Sequence, residues 1–454
     1  MSATRTRNTT RILIVGGGYV GMYTALRLQR RLRREISRGR VQITVVEPQS
    51  YMTYQPFLPE AAAGNLEPRH VVVPLRRVLH RCTILNGRAV RIDHAVRRAT
   101  VRVAGAEDDG ESDRELPYDR LVVAVGSISR TLPIPGLAEH GIGFKSLGEA
   151  IYLRNHVLSQ LDIAASTQRA DVRRRALTFV FVGGGYAGVE ALGELEDMAR
   201  DACAYYPSID PGDMRWVLVE ATGRILPEVG AEMGRWTVEA LRRRGIEVAL
   251  NTRLESAENG RIVLSDGREF EAGTLVWTAG VKPNPMLADT DLPLDERGRV
   301  KVGADLVVVG REGAYAAGDS AAVPDLTKPG EFCAPNAQHA VRQARRLADN
   351  LVADLHGRPR RPYRHAYAGS VAGLGLYKGV ANVYGIRLKG YSAWFLHRTY
   401  HLSRMPTVNR KVRVTADWTL ALFFRREIVS MGEIHRPREE FSLAAGRREA
   451  SLWR

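Results

Sequence analysis

Cysteine is scarce in this sequence of 454 residues. The 3 cysteines are Cys82, Cys203 and Cys333, and no two of them form a C-x-x-C pair. Such a set supports neither a disulfide framework nor a cysteine-based metal cluster. We therefore expect a protein of a reducing compartment, with no metal site.

Long apolar runs are also missing from the sequence. No run of about 18 apolar residues occurs, which argues against a transmembrane helix. Residues 1–10 lack the apolar core of a secretory signal, so no signal peptide is expected. The hydrophobic content of 44% nevertheless predicts a packed core, and the length suits about two or three domains.

Acidic residues are outnumbered by basic ones, 50 against 66, and the net charge is +16. This balance is typical of proteins that meet nucleic acid, anionic lipid or anionic cofactors. The sequence contains no recognition helix and no RNA-binding aromatic signature. Nucleic acid is therefore not an expected partner, whereas an anionic surface or cofactor is.

A motif near the start is typical of dinucleotide binding. The apolar run Ile12–Val15 predicts a buried strand, and Gly16, Gly18 and Gly21 follow in the G-x-G-x-x-G spacing before a helix. These glycines allow a tight turn, close approach to a pyrophosphate, and packing of helix on strand. Glu47 ends the next strand, where a carboxylate can accept from a ribose hydroxyl. An ordinary glycine turn is the less favoured alternative.

The same pattern occurs a second time in the chain. Gly183, Gly185 and Gly188 follow another β-rich run, and Glu220 ends the strand after their helix. Two complete motifs are far more specific than one, and they predict two dinucleotides on one chain. The carboxylate of Glu220 favours NADH, since it would repel a 2′-phosphate. Arg224 lies close by and leaves NADPH open.

Glu190 follows the second glycine motif on the same predicted helix. It could simply complement the positive end of the helix dipole, a contribution of about 0.3–1 kcal/mol. It could instead place its carboxylate beside the nicotinamide of a bound cofactor. The spacing alone does not choose between these interpretations.

Three more candidate residues stand at strand ends. The buried strand of residues 118–127 ends at Gly126, and a later strand ends at Gly318 and Asp319. A carboxylate and backbone N–H groups at such a place can hold ribityl or phosphate groups. An Asp that caps a helix is the alternative.

A long amphipathic helix is predicted over residues 334–351. Gln338 and Gln343 on it could face a flat electron acceptor, or could be ordinary polar helix residues. Earlier in the chain, Pro56 and Pro59 lead us to expect no regular helix in the loop after the second strand.

The C-terminal part, residues 376–434, is rich in aromatic residues and cations. Such a mixture suits the interface of an anionic membrane, while a packing or dimerisation module is the alternative. The apolar residues expected at the membrane are Trp394, Phe395, Leu396, Tyr400, Leu402, Trp418, Leu422, Phe423 and Phe424. The accompanying cations are Arg398, Arg404, Arg410, Lys411, Arg413, Arg425 and Arg426.

The order of these motifs resembles the two-dinucleotide-binding flavoprotein reductases, and among them the type II NADH:quinone oxidoreductases. The resemblance covers roughly residues 10–434. It rests on VGGGYVG, QPFLPEAAAG, VGGGYAGVE, AAGDSAAV, AQHAVRQA and GYSAWFLHRTYHL. Disulfide reductases and sulfide:quinone oxidoreductases share this arrangement but need paired redox cysteines, which this sequence lacks.

The resemblance implies a cofactor for each motif. FAD would occupy the first one, at Gly16, Gly18, Gly21 and Glu47, with Gly126, Gly318 and Asp319 on the same cofactor. NADH would occupy the second one, at Gly183, Gly185, Gly188 and Glu220. The glutamate that the family keeps on the nicotinamide side matches Glu190, which raises that interpretation above the helix-dipole one.

The family's quinone motif, A-Q-x-A-x-Q, matches at Ala337, Gln338 and Ala340. It departs at Arg342, where the second Gln is expected, and Gln343 follows one place later. The resemblance therefore implies that Gln338, and with less support Gln343, lies on the quinone side. It also implies catalytic roles for Glu190 and Gln338.

These inferences predict an α/β protein with two Rossmann-like domains, the NAD domain inserted in a discontinuous FAD domain. The expected limits are 10–148 and 299–375 for FAD, 149–298 for NAD, and 376–454 for a membrane-associating segment. The implied activity is electron transfer from NADH through FAD to a membrane quinone, without proton pumping. A reductase for ferredoxin or a small molecule, and a redox-sensing flavoprotein, are alternatives. The expected location is peripheral, on the cytoplasmic face of the membrane. The sequence leaves open whether the protein forms a homodimer.

Overall fold

The computed structural model describes residues 9–103, 112–365, 369–424 and 426–431. Within these ranges the strands are β1 (Thr10–Val15), β2 (Val41–Glu47), β3 (Tyr51–Thr53), β4 (Val72–Pro74), β5 (Thr83–Asp93), β6 (Arg98–Val103), β7 (Ser112–Pro117), β8 (Arg120–Val123), β9 (Ser127–Ser129), β10 (Gly141–Gly143), β11 (Thr178–Val182), β12 (Arg215–Val219), β13 (Glu247–Ala249), β14 (Leu254–Ser256), β15 (Arg261–Leu264), β16 (Glu269–Glu271), β17 (Thr274–Trp277), β18 (Val281–Pro283), β19 (Val300–Lys301), β20 (Ala314–Ala316), β21 (Ala321–Ala322), β22 (Gly369–Gly373), β23 (Gly379–Val383) and β24 (Ile386–Lys389). The α-helices in the same ranges are α1 (Tyr19–Arg31), α2 (Arg33–Ser37), α3 (Leu58–Ala62), α4 (Leu75–Val78), α5 (Leu137–His140), α6 (Leu147–Ser166), α7 (Ala170–Ala176), α8 (Tyr186–Ala202), α9 (Ala231–Arg242), α10 (Ala337–Leu355), α11 (Tyr391–Arg404) and α12 (Val408–Leu420).

The chain packs as two units, each assembled from several segments. The first unit comprises Met1–Tyr54, Val72–Arg130 and Gly280–Ala368. The second comprises Gln55–Val71, Thr131–Ala279 and Gly369–Arg454. The domain limits expected at 148/149, 298/299 and 375/376 stay predictions, because domains named for a ligand need not coincide with units defined by packing.

The first unit is built on a sheet with the strand order β20-β8-β1-β2-β5-β6-β7. The strands from β20 to β5 run parallel, while β6 and β7 continue the sheet antiparallel. The apolar strand β1 lies inside this sheet, with Ile14 paired to Val45 and Val122. Its buried side chains suit a strand covered on both faces, as the sequence predicts. Helices α1 and α10 pack together, and the Thr24 hydroxyl donates to the carbonyl of Ala344 at 3.3 Å.

The second unit contains a parallel sheet with the order β10-β17-β11-β12-β13. All five residues of β11, TFVFV, are buried, and α8 follows this strand through the second glycine motif. Two antiparallel sheets, β14–β16 and β22–β24, belong to the same unit. The predicted α/β class with two Rossmann-like sheets is confirmed by this topology.

The loop that carries Pro56 and Pro59 differs from the prediction. Residues Gln55–Phe57 form a 3-10 turn, and α3 follows it directly. Pro59 lies in the first turn of α3, where a backbone N–H has no helical partner and its loss is tolerated. The expectation that these prolines bar a regular helix is therefore wrong. The short helix also places Glu60 in the interior of the second unit.

The C-terminal helices are only partly as expected. Trp394 and Arg398 on α11 are buried, and Arg426 has an almost fully covered side chain at 2.8 Å from Asp201. The prediction that these three residues face a membrane is therefore wrong. No helix among the described residues is long and apolar enough to cross a bilayer. Arg425 and residues 432–454 of the predicted C-terminal segment lie outside the described residues.

Candidate active site

The first glycine motif forms a tight turn between β1 and α1. Gly16 has a positive φ of 100°, and a Cβ on it would overlap the carbonyl oxygen of Ala124. A Cβ on Gly21 would overlap the carbonyl oxygen of Gly16, so only glycine lets the helix lie this close to the strand. A Cβ on Gly18 would have no atom of the described residues within 4 Å. Gly18 therefore opens onto free space at the N-terminus of α1, as pyrophosphate binding requires.

The second motif repeats this geometry in the second unit. Gly183 has a φ of 115°, and a Cβ on it would lie 2.8 Å from the carbonyl carbon of Thr278. A Cβ on Gly188 would overlap the carbonyl oxygen of Gly183. Around Gly185 the described part of the chain again leaves 4 Å free. Both motifs thus have the shape that a dinucleotide pyrophosphate needs.

The acids predicted to follow the two motifs also occupy matching positions. Glu47 accepts from the N–H of Gly17 at 2.6 Å and from that of Gln49 at 3.1 Å. Burial raises the pKa of Glu47, although these two N–H groups act in the opposite direction. Glu220 accepts from the N–H of Gly184 at 2.7 Å and from both the N–H and the hydroxyl of Thr222 at 2.7 Å. Each carboxylate therefore fastens its glycine turn to the end of the next strand.

Residues at neighbouring strand ends of the first sheet come together. The Ser127 hydroxyl, just after Gly126, donates to Asp319 at 2.6 Å. Strands β20 and β8, which precede these residues, are adjacent in the sheet, and β1 with its glycine turn lies next to β8. Ligands of open parallel sheets bind at this carboxyl edge. The structure thus gathers the predicted residues Gly16, Gly126, Gly318 and Asp319 at one edge of one sheet.

Helix α10 places its two candidate glutamines differently. Gln343 is 1% exposed, and its side-chain oxygen accepts from the N–H of Gly318 at 2.7 Å. It therefore supports the turn that carries Asp319. Gln338 is half-buried and accepts from the guanidinium of Arg342 at 3.2 Å. Of the two, Gln338 is the more accessible, and the quinone-side roles of both stay predictions.

Two histidines lie beside Gln338: His339 takes the first variable place of the quinone motif, and His365 belongs to no motif. The ring of His365 lies 3.0 Å from the guanidinium of Arg342 and 4.4 Å, between ring centres, from His339. Burial, together with these two neighbours, lowers the pKa of His365 to about 4. His339 in turn lies 2.9 Å from the hydroxyl of Tyr363. Sequence reasoning missed this cluster because two of its members lie beyond the helix, in a segment without a recognisable pattern.

Glu190 lies inside the second unit and is 8% exposed. It follows the first turn of α8, and its Oε1 accepts from the N–H of Gly373 at 2.8 Å. The Nε2 of His397 lies 3.2 Å from the same oxygen. A simple helix-dipole role does not describe this environment. Sequence reasoning missed His397, whose only signal was a histidine in an aromatic segment.

Comparison with known proteins supports this reading of the two motifs. The family model described as pyridine nucleotide-disulphide oxidoreductase matches residues 10–344. The chain is 28% identical to the type II NADH:quinone oxidoreductase Ndh of Mycobacterium tuberculosis, over 92% of this chain and 89% of that protein. It is 29% identical to the type II NADH:quinone oxidoreductase of Staphylococcus epidermidis, over 86% and 93% respectively.

Among solved structures, the chain is similar to NDH2 from Plasmodium falciparum in complex with NADH. The TM-score is 0.84 at 17% identity, over 93% of this chain and 100% of that one, a likeness of fold. The predicted resemblance to type II NADH:quinone oxidoreductases is confirmed by these relatives. The family match spans well over half of the sequence, and the chain belongs to the pyridine nucleotide-disulphide oxidoreductase family.

Proposed function

We propose that this protein is a type II NADH:quinone oxidoreductase, which passes two electrons from NADH through FAD to a quinone without pumping protons. The observation that carries the proposal is the pair of matching glycine turns, each open at its second glycine and each fastened by a carboxylate. Relatives of that name match along most of the chain. FAD, when bound, supplies a carrier that accepts hydride from NADH and returns electrons to the quinone.

The first unit is the proposed FAD site. Gly18 leaves room for the pyrophosphate, and the N-terminus of α1 offers it free N–H groups. Asp319 is held by the Ser127 hydroxyl, and Gly126 and Gly318 complete the edge where the ribityl chain would lie. The protein's part here is to bind and orient.

The second unit is the proposed NADH site. Gly183, Gly185 and Gly188 shape the turn, and Glu220 stands where the adenosine ribose would be bound. Its carboxylate is anchored by Gly184 and Thr222, so it cannot easily swing away from a 2′-phosphate. We infer a preference for NADH over NADPH on this ground. Glu190 is the proposed residue on the nicotinamide side.

Quinone is the proposed acceptor, and Gln338 the residue that meets it. Its side chain is held by Arg342, which occupies the position where the family motif expects a second Gln. The half-buried carboxamide can donate a hydrogen bond to a carbonyl oxygen of the quinone. Gln343 would act indirectly, through the Gly318 turn.

A peripheral position on the membrane is the remaining part of the proposal. The outer faces of α11 and α12 and the turn after α12 expose apolar side chains: Tyr391, Phe395, Val408, Val412, Leu420, Leu422, Phe423 and Phe424. Cations of the same segment, including Lys411 and Arg413, stand among them. Apolar residues beside cations suit an anionic bilayer surface. The proposed side is the cytoplasmic one, where NADH is available.

The test is the visible spectrum of the purified protein. A flavin spectrum that bleaches on anaerobic addition of NADH and returns on addition of a soluble quinone is the expected result. Ferredoxin in place of quinone tests the alternative acceptor. A flavin that NADH reduces but that quinone leaves reduced would contradict the proposed function.

A further inference from the structure

A buried pair of titratable side chains joins α8 to α11. Glu190 and His397 are 8% and 4% exposed, and Nε2 of the imidazole lies 3.2 Å from Oε1 of the carboxylate. The N–H of Gly373 fixes the same oxygen at 2.8 Å. The backbone N–H of Gly373 orients the carboxylate, and the buried Nε2 of His397 lies within salt-bridge distance of it.

The titratable and charged side chains on the helices around His397 come from α3, α8 and α11. Glu60 on α3 lies 2.8 Å from the guanidinium of Arg398, the residue after His397 on α11. His401, one turn further along α11, meets the ring of His397 edge-on with ring centres 4.6 Å apart. Glu194 lies one turn beyond Glu190 on α8.

The other charged residues near α11 have partners of their own. Glu194 accepts from the amide of Asn65 at 2.7 Å. Other pairs on the elements that pack around α11 are Lys378 with Asp197, Arg387 with Glu232, Lys389 with the ring of Trp236, and Asp417 with His70. Of these charges, Glu190 is the carboxylate that directly contacts His397.

The electrostatic balance favours a proton on His397. Burial lowers the pKa of this imidazole, but Glu190 and then Glu60 outweigh burial, so the pKa is raised above the ordinary value of 6.5. Burial and the neighbouring His397 lower the pKa of His401 well below that value. Of these two imidazoles, His397 is therefore the one that holds a proton more readily than an ordinary histidine, and His401 the one that holds it less readily.

We propose that His397 is the positioning residue of Glu190: it aims the carboxylate and, by keeping or losing one proton, sets the charge that Glu190 presents to the nicotinamide. This rests on the proposed function, which places Glu190 on the nicotinamide side. The protonated pair is neutral overall, and the deprotonated pair carries one negative charge. The oxidised nicotinamide is a cation and the reduced one is neutral. Loss of the proton therefore favours NAD⁺ over NADH.

The test compares two ligands on the FAD-loaded protein. NAD⁺ carries the cationic ring, and tetrahydro-NAD carries a neutral ring that cannot release hydride. Calorimetric titration from pH 6.5 upward gives the ratio of their affinities. In the wild type, the affinity for NAD⁺ relative to that for tetrahydro-NAD should rise by about tenfold as the pH rises. This is the change expected when the pKa of the pair differs by one unit between the two bound states. The number of protons exchanged on binding NAD⁺ should change in parallel.

Three variants make the titration decisive. His397→Gln removes the titrating ring and Glu190→Gln removes the charge, so each should abolish the pH-dependent change in the ratio. His156→Gln is the control, because His156 is a half-buried histidine of the second unit, bound to the carbonyl of Gly273 and the hydroxyl of Thr274 rather than to a carboxylate. It should keep the wild-type profile.

Several outcomes would overturn the proposal. A wild-type ratio that does not change with pH, or a His397→Gln profile like the wild type, reduces His397 to a packing residue. If His397→Gln fails to fold, NMR of ¹⁵N-histidine decides: the wild type should show an imidazole that deprotonates above pH 6.5 and loses this behaviour in Glu190→Gln. Absence of such an imidazole refutes the pair. Failure of the proposed function is separate, since it appears as protein that does not pass electrons from NADH to quinone.

Discussion

Gly18→Val should separate cofactor binding from folding. The backbone at Gly18 has φ −68° and ψ −155°, an extended conformation with a negative φ. The described residues leave the space around its Cβ empty. A valine side chain therefore meets no protein atom there, but it fills the volume that the pyrophosphate needs. Gly21→Ala is the matched contrast, since its Cβ would overlap the carbonyl oxygen of Gly16.

The expected magnitudes differ in the two variants. Valine is a poor N-terminal cap, so Gly18→Val should cost the FAD-free protein about 1 kcal/mol of unfolding free energy. FAD at a hundred times its Kd stabilises the wild type by ~2.7 kcal/mol, and this gain should vanish in Gly18→Val. Gly21→Ala forces helix and strand apart and should cost the FAD-free protein about 1–3 kcal/mol or more.

Thermal unfolding with and without added FAD, together with the flavin absorbance of the purified proteins, checks both expectations. The melting temperature of Gly18→Val should be close to that of the FAD-free wild type and should not change when FAD is added. A Gly18→Val protein that purifies with a full complement of flavin would refute the assignment of the first motif. A Gly21→Ala protein as stable as the wild type would refute the argument from close packing.

Four further predictions follow from the same contacts. Glu220→Arg should narrow or invert the ratio of kcat/KM for NADH and NADPH, and a wild type that already favours NADPH would contradict it. Gln338→Ala should leave flavin reduction by NADH unchanged in stopped flow and slow reoxidation by quinone, whereas equal effects on both steps would count against a quinone-side role. The double variant Phe423→Ser, Phe424→Ser changes side chains that are 77% and 68% exposed. It should weaken co-sedimentation with anionic vesicles and leave oxidation of NADH by a soluble dye intact. Unaltered co-sedimentation would contradict the proposed membrane-binding surface. Glu194→Gln should raise the melting temperature at pH 8, because burial and a neighbouring carboxylate raise the pKa of Glu194 to about 7. The folded state keeps a proton up to about pH 7 that the unfolded state loses near pH 4.5, so the free energy of unfolding of the wild type falls as the pH rises from 4.5 to about 7. A Glu194→Gln variant whose stability has the same pH dependence as the wild type would refute this argument.

Sequence reasoning succeeded where the chemistry is local. Gly16, Gly18 and Gly21 lie within one strand–turn–helix, and spacing alone predicts that the first and third lack room for a Cβ while the second is open. The same holds for the second motif. Glu47 and Glu220 were found because they end the next strand, which a parallel sheet must place beside the first. What the sequence did not convey is that these acids fasten the glycine turns themselves.

Sequence reasoning failed where partners are distant in the chain. Nothing in the helix of Glu190 points to His397, because the contact depends on how α11 packs against β22 and α8. Likewise Gln343 lies one residue after the motif position, which Arg342 occupies, so its side chain is buried and accepts from the N–H of Gly318 instead. In both cases the sequence shows the residue type, but only the packed structure shows where its side chain points.

Helix α11 has a buried face and an exposed face, so the C-terminal segment also contributes to the packing of the second unit. Ala393, Trp394, His397 and Arg398 share its buried side, at the i, i+1, i+4, i+5 spacing of one helical face, while Phe395 points outward. Truncation of the chain before Lys389 would therefore remove His397, the partner of Glu190, along with the outer apolar side chains. Loss of vesicle binding after such a truncation could not be separated from damage to the NADH side. Changes confined to the outer face, such as Phe395→Ser, leave the His397–Glu190 contact in place. If they release the protein from vesicles while the pH dependence of NAD⁺ binding stays unchanged, the two faces of one helix serve two separate functions.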